Sequence, residues 1–87
     1  MELEFRKSFT KDLKRTNITT LKRLKILIEQ LEIANSLEKI ANVKKLKDIE
    51  EYYRIRIGDY RLGIKVEDNK LIILRFLHRK EIYRYFP

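Results

Sequence analysis

The stretch Tyr52-Tyr53-Arg54-Ile55-Arg56-Ile57-Gly58-Asp59-Tyr60-Arg61 decides the fold. Tyr53, Ile55 and Ile57 fall on one parity and Arg54 and Arg56 on the other, the period of two that marks a strand with one buried and one solvated face. Gly58-Asp59 has the composition of a two-residue hairpin turn, because both residue types accept the backbone angles such turns demand. The chain then doubles back with Ile57 opposite Tyr60, Arg56 opposite Arg61 and Arg54 opposite Gly63. Two arginines directly across a sheet repel. A sequence that keeps them there points to an anion.

Downstream, Tyr60–Glu67 continues the alternation, with Tyr60, Leu62, Ile64 and Val66 on one parity and Arg61, Gly63 and Lys65 on the other. One face of the hairpin therefore gathers Arg54, Arg56, Arg61 and Lys65, while the opposite face is apolar. Asp68-Asn69 is a second turn, and Lys70–Leu77 a further strand. Its run Leu71-Ile72-Ile73-Leu74 is apolar on both parities, as expected of a strand inside a sheet; no pattern sets its register. The tail from His78 to Pro87 begins where that strand ends. Ile82 and Phe86, four apart, predict a short helical turn docking on the core, with Arg79 and Tyr83 on another shared face.

Upstream, residues 2–7 alternate, Leu3 and Phe5 inward, Glu2, Glu4 and Arg6 outward, which predicts a first strand. Ser8 is placed to cap a helix carrying Phe9 and Leu13. Asn17 interrupts, and Thr19 or Thr20 opens a second helix with Leu21, Leu24, Ile28 and Leu31 on one face. Asn35-Ser36 reads as another cap, with a short helical piece to about Ala41. Lys44, Lys45 and Lys47 form a basic bend, a candidate phosphate contact. Asp48, Glu50 and Glu51 make an acidic patch, but no His or further carboxylate is spaced to complete a metal site. The expected fold is α+β: an N-terminal strand, a helical hairpin packed on a mostly antiparallel four-stranded sheet, and a short C-terminal helical turn.

A chain of 87 residues reads as one domain, 1–87, with no room for a second core. Few breakers (two Gly, one Pro) and 44% hydrophobic residues argue against disorder. Without cysteine there is no disulfide framework, thiolate metal site or cysteine nucleophile, which suits a reducing cytosol. The N-terminus lacks the apolar core of a secretory signal, and no apolar run approaches the ~18 residues of a membrane span. The net charge of +8 speaks to partners: nucleic acid first, then an anionic membrane surface or an acidic protein. A merely solvated charged surface is the plain alternative.

The order strand, helical hairpin, basic meander resembles the RelE/ParE superfamily of type II toxin–antitoxin toxins. YYRIRIGDYRLGI (52–64) followed by LRFLHRKEIYRYF (74–86) is similar to that family's most recognisable stretch. The resemblance implies a compact α+β fold and a cognate antitoxin that wraps the toxin, a monomer within a hetero-oligomer. RelE-type members cleave messenger RNA in the ribosomal A site by attack of the ribose 2′-hydroxyl on the adjacent phosphate. ParE-type members poison DNA gyrase and lack the nuclease residues.

Position by position, the resemblance places the basic strand residues on Arg54 and Arg56, the arginine after the turn on Arg61, the arginine after the last strand on Arg79 and the C-terminal tyrosine on Tyr83. The spacing from Arg79 to Tyr83 is shorter than in the best-known RelE pattern, and the strand positions, lysine there, are arginine here. Arginine stabilises charge developing on phosphate oxygens through its planar fork. With a pKa above about 12 it does not shuttle protons. Proton transfer then falls to Tyr83, to His78 or to groups of the ribosome.

Tyr83 can serve as a base if clustered cations lower its pKa from about 10, or can stack on a nucleobase. His78, the only histidine, has the titration range for acid–base work. Lys44, Lys45, Lys47 and Lys65 are candidate RNA contacts and Tyr52 a candidate stacking residue. For Arg61 and Arg79 the competing reading is an ion-pair network with Asp59, Glu67 and Glu81. The leading expectation is a cytoplasmic, cofactor-free, ribosome-dependent endoribonuclease acting on mRNA. A ParE-like gyrase inhibitor and a non-catalytic RNA-binding module are the alternatives.

Overall fold

The computed structural model describes Met1–Pro87. In chain order the elements are β1 (Glu2–Phe5), α1 (Lys7–Leu13), α2 (Ile18–Ile33), a 3-10 turn (Leu37–Lys39), β2 (Val43–Lys45), β3 (Tyr52–Ile57), β4 (Tyr60–Glu67), β5 (Lys70–His78) and α3 (Arg79–Tyr85). The sheet runs β1-β5-β4-β3-β2. Only the β1–β5 pair is parallel. The α+β class and the helical hairpin on a mostly antiparallel sheet stand as expected. No helix is long and apolar enough to cross a membrane.

The hairpin has the register its alternation predicts, with Ile57 opposite Tyr60, Arg56 opposite Arg61 and Arg54 opposite Gly63. Gly58 takes φ +56°, a left-handed angle that glycine adopts at no steric cost. At the next turn Asp68 and Asn69 share that conformation, with φ of 50° and 63°.

The sheet has five strands rather than four, because Val43–Lys45, expected as part of a basic bend, pairs antiparallel with β3. Three residues, two of them lysine, are too few for a period of two to stand out, and lysine on a short edge strand blocks further pairing. Interior position is confirmed for β5. Between Gly63 and Ile64 its register shifts, which leaves Leu74 without a partner on β4 and reverses which parity points inward. Leu71, Ile73 and Phe76 therefore join the main core. Leu77 and Leu74 instead meet Ile82 and Phe86 in a second, smaller core. A strand with a core on each side needs apolar residues on both parities.

The main core lies between the helices and the sheet, where Leu24, Leu27 and Leu31 of α2 and Phe9 of α1 cover Ile55, Leu62 and Ile64. The buried stripe of α2 is Leu24, Leu27 and Leu31, with Leu21 and Ile28 at its margins. Asn17 caps α2, accepting the Thr20 N–H at 2.8 Å, so the helix opens at Ile18 and not at Thr19 or Thr20. After α2 only the one 3-10 turn forms, and the Ser36 side chain makes no capping bond.

Ser8 does not cap α1 either. β5 outruns β1, and the polar groups on its exposed edge beyond Phe5 need partners. The Arg6 N–H donates to the Ile73 carbonyl at 3.0 Å, the Ser8 hydroxyl to the Leu74 carbonyl at 2.7 Å, and the Phe76 N–H to Asp12 Oδ2 at 2.9 Å. Asp12, only 4% exposed, also takes the Arg75 fork through two bonds of 2.9 Å, and that bonding holds the Arg75 pKa above its usual value. Leu3 packs on the core. Phe5 lies half in solvent, stacked on Phe9 with ring centroids 5.6 Å apart.

Candidate functional site

Gly63 decides how the far face of the sheet is divided. A Cβ there would lie 2.6 Å from Cδ1 of Phe86, so only glycine lets that ring settle on β4. Phe86, with Ile82, anchors α3 over one half of the face. The other half stays open as a concavity of about 330 Å³ lined by Asn42, Val43, Lys44, Arg54, Arg56, Arg61 and Tyr83.

Four of these seven residues are cations, arranged as two cross-strand pairs, Lys44 with Arg54 and Arg56 with Arg61. No carboxylate lines the concavity. None of the four cations takes part in any of the structure's ion pairs. The Arg61 guanidinium is held in place by carbonyls, its Nη1 donating to Gly58 O at 3.0 Å and to Tyr60 O at 2.9 Å. Arg54 lies 4.6 Å from the centroid of the Tyr83 ring, a cation–π arrangement that joins α3 to the sheet. Tyr83 is 66% exposed and carries the only hydroxyl in the lining. Unpaired arginines supply forked donors for phosphate oxygens, and the arrangement can bind and polarise a phosphodiester.

The structure divides the sequence-predicted residues. Arg54, Arg56, Arg61, Tyr83 and Lys44 meet in the concavity. Arg79 lies outside its lining, with Nε 4.0 Å from Asp59 Oδ1 and its backbone N–H donating to the Asp59 carbonyl at 2.7 Å. His78 caps α3, its Nδ1 accepting the Lys80 N–H at 3.1 Å, and stands edge-on to Tyr60 at 5.5 Å. Lys65 shares the face but sits two rungs past Gly63, 2.8 Å from Glu67. Their hydrogen bond raises the Lys65 pKa and lowers that of Glu67. Tyr52 covers Phe86, with centroids 5.9 Å apart. Lys45 points the other way, beside Tyr53 and Val66, and Lys47 is exposed in the following loop.

Asn42 was not anticipated: at φ +65° its carbonyl accepts the Arg56 N–H at 3.1 Å, setting the rim where β2 begins. An asparagine just before a strand, a residue type that tolerates the left-handed region, is the only signal for it in the sequence. No three His, Cys, Asp or Glu residues are grouped to hold a metal ion.

Residues 3–83 match the family described as ParE toxin of type II toxin-antitoxin system, parDE. Toxin RelE3 of Methanocaldococcus jannaschii is 47% identical over 88 residues, covering 100% of both chains. Putative toxin RelE1 of the same organism is 36% identical over 80 residues, 91% of this chain and 89% of that one. The fold is similar to a chain of the RelB-RelE antitoxin-toxin complex from Methanococcus jannaschii, with TM-score 0.84, 47% identity and coverage of 95% and 98%. It is also similar to a chain of the archaeal RelE-RelB complex from Pyrococcus horikoshii, with TM-score 0.73, 26% identity and coverage of 90% and 93%. This chain belongs to the RelE/ParE superfamily of type II toxin–antitoxin toxins.

Proposed function

We propose that this protein is a single-domain cytoplasmic toxin that stops translation by cutting messenger RNA on the ribosome, and that a cognate antitoxin neutralises it. The observation that carries this reading is the concavity in which Lys44, Arg54, Arg56 and Arg61 face one space without a counter-charge. In the reaction the ribose 2′-oxygen gives up its proton and attacks the adjacent phosphorus. The 5′-oxygen leaves and takes a proton, yielding a 2′,3′-cyclic phosphate and a 5′-hydroxyl end. Arg54, Arg56 and Arg61 hold the phosphate and stabilise the charge that builds on its oxygens.

Tyr83 orients the attacking group or moves a proton, a task for which an arginine side chain is unsuited. Arg79 contributes to the transition state only if its exposed pair with Asp59 opens, and such pairs are worth about 1 kcal/mol or less. His78, engaged as a cap, is assigned to holding α3. The antitoxin reading is supported by the RelB–RelE complexes in which similar chains are found. An acidic segment seated on the concavity would neutralise it.

Inducible expression followed by mapping of mRNA 5′ ends tests the reading. Cuts confined to translated messages, absent with Arg61→Ala, are expected. Growth arrest with intact messages and a DNA-damage response would instead establish the gyrase-directed reading. Arginine at both β3 positions and the ParE-described match over residues 3–83 keep that second reading in play.

A further inference from the structure

Beside the concavity, around the outer edge of β3, lies a second hollow of about 240 Å³ between the sheet and α2. The two share Arg56 and Asn42. The second adds Arg23 and Gln30 from α2 over an apolar floor that includes Ile26 and Ile57. Arg23 belongs to no ion pair in the structure. Its Nη1 occupies the space beside Gly58, 2.8 Å from where a Cβ would stand, so the glycine of the hairpin turn also admits this guanidinium. The same Gly58 offers its carbonyl to Arg61. Two forked cations on different elements thus flank one turn, and a third, Arg56, faces both hollows.

We propose that the Arg23 hollow is a second RNA subsite, taking the nucleotide next to the one in the concavity. The inference rests on RNA being the ligand there. Arg23 and Arg56 bind the second phosphate, Gln30 and Asn42 supply amide groups to the ribose or the base edge, and the apolar floor receives the base. Consecutive phosphates along one strand are the ligand that fits two adjoining cationic hollows with a shared arginine. Arg23 is a binding residue and not a catalytic one.

The test is fluorescence anisotropy with the purified 87-residue protein and a labelled single-stranded RNA of about twelve nucleotides, across about 0.05 to 0.3 M salt. Arg23→Gln is expected to weaken binding roughly tenfold and to reduce the log–log salt slope by about 0.7, the loss of one phosphate contact. Arg23→Lys keeps the slope. Arg61→Gln weakens binding independently, so that the two effects multiply. A dinucleoside monophosphate, with one phosphate, competes equally well for wild type and Arg23→Gln but worse for Arg61→Gln.

If Arg23→Gln binds the long RNA as wild type does while Arg61→Gln is impaired, the second subsite is refuted and the first stands. Equal weakening of the dinucleoside by Arg23→Gln would overturn the proposal too, since Arg23 would then act through the Gly58 turn. So would unchanged RNA affinity together with weaker binding of an acidic protein partner. Absence of RNA binding by the wild-type protein overturns this inference, whereas the ribosome-dependent nuclease reading stands or falls on the mapping of mRNA 5′ ends.

Discussion

Leu62 and Ile64 of β4 are wholly buried under α2, while Arg61, next in the chain to Leu62, faces an open concavity. The two faces of the sheet are made of alternate residues of the same strands. On the helix side, apolar side chains are removed from water, each contributing about 1.5–3 kcal/mol when fully buried. On the other side, α3 covers only the half centred on Gly63, and four cations share the remainder. Leaving them wet keeps the cost low: like charges 4 Å apart repel by about 1 kcal/mol in bulk water, against about 4 kcal/mol at an effective dielectric of 20. The difference teaches how a small domain separates stability from function. Burial on one face supports an electrostatic strain on the other, which an anion bound there would relieve.

If that division holds, stability and activity should fail separately. The largest stability loss is expected from Leu31→Ala on the helix side, about 2–5 kcal/mol, read by denaturant unfolding. A loss below about 1 kcal/mol would mean that the helix-side core is not the main support. Arg61→Ala is expected to do the converse. Cleavage of translated mRNA falls about 100-fold or more, while the unfolding free energy stays within about 0.5 kcal/mol. An Arg61→Ala protein that unfolds, or that still cuts, would erase the distinction.

Gly63→Ala sharpens the boundary between the two halves of the open face. Its methyl group would strike the Phe86 ring, so a stability cost of about 1–3 kcal/mol is expected, together with weaker activity, because α3 carries Tyr83. Normal activity in that variant would show that the seat of α3 does not matter to the site.

The smallest effect belongs to the Lys65–Glu67 pair, exposed at the end of the same face. Glu67 is held below its ordinary 4.5 and Lys65 above its ordinary 10.5 by their mutual hydrogen bond. The carboxylate contribution is therefore present above pH 4.5 and lost as pH falls through the lowered value. The ammonium contribution is present below 10.5 and lost as pH rises through the raised one. A small Tm difference between wild type and Glu67→Gln is expected between those limits, vanishing in acid and in strong base. A difference that grows in acid would contradict the pairing.

Much of this architecture is legible in the sequence. The Arg56–Arg61 rung followed from a period of two and a Gly-Asp turn, both local. The docking of α3 followed from Ile82 and Phe86, four residues apart. Asp12 was invisible because its partners, Arg75 and Phe76, lie 63 and 64 residues away, and an acid on a short basic helix looks like any solvated residue. β2 was invisible because its strand character comes from pairing with β3. The bulge that puts Leu74 and Leu77 on the second core exists only once β4 and β5 are aligned.

The grouping of Arg54, Arg56 and Arg61 was written into residues within eight positions of one another, where turn geometry and alternation leave one arrangement. Contacts between elements were not. Packing brought Lys44 and Tyr83 to the arginines, placed Phe86 on Gly63 and Arg23 beside Gly58, and left His78 and Arg79 outside the concavity. Which side chains a helix or an edge strand presents depends on how it seats against a surface assembled from distant parts of the chain, and only the folded molecule contains that surface.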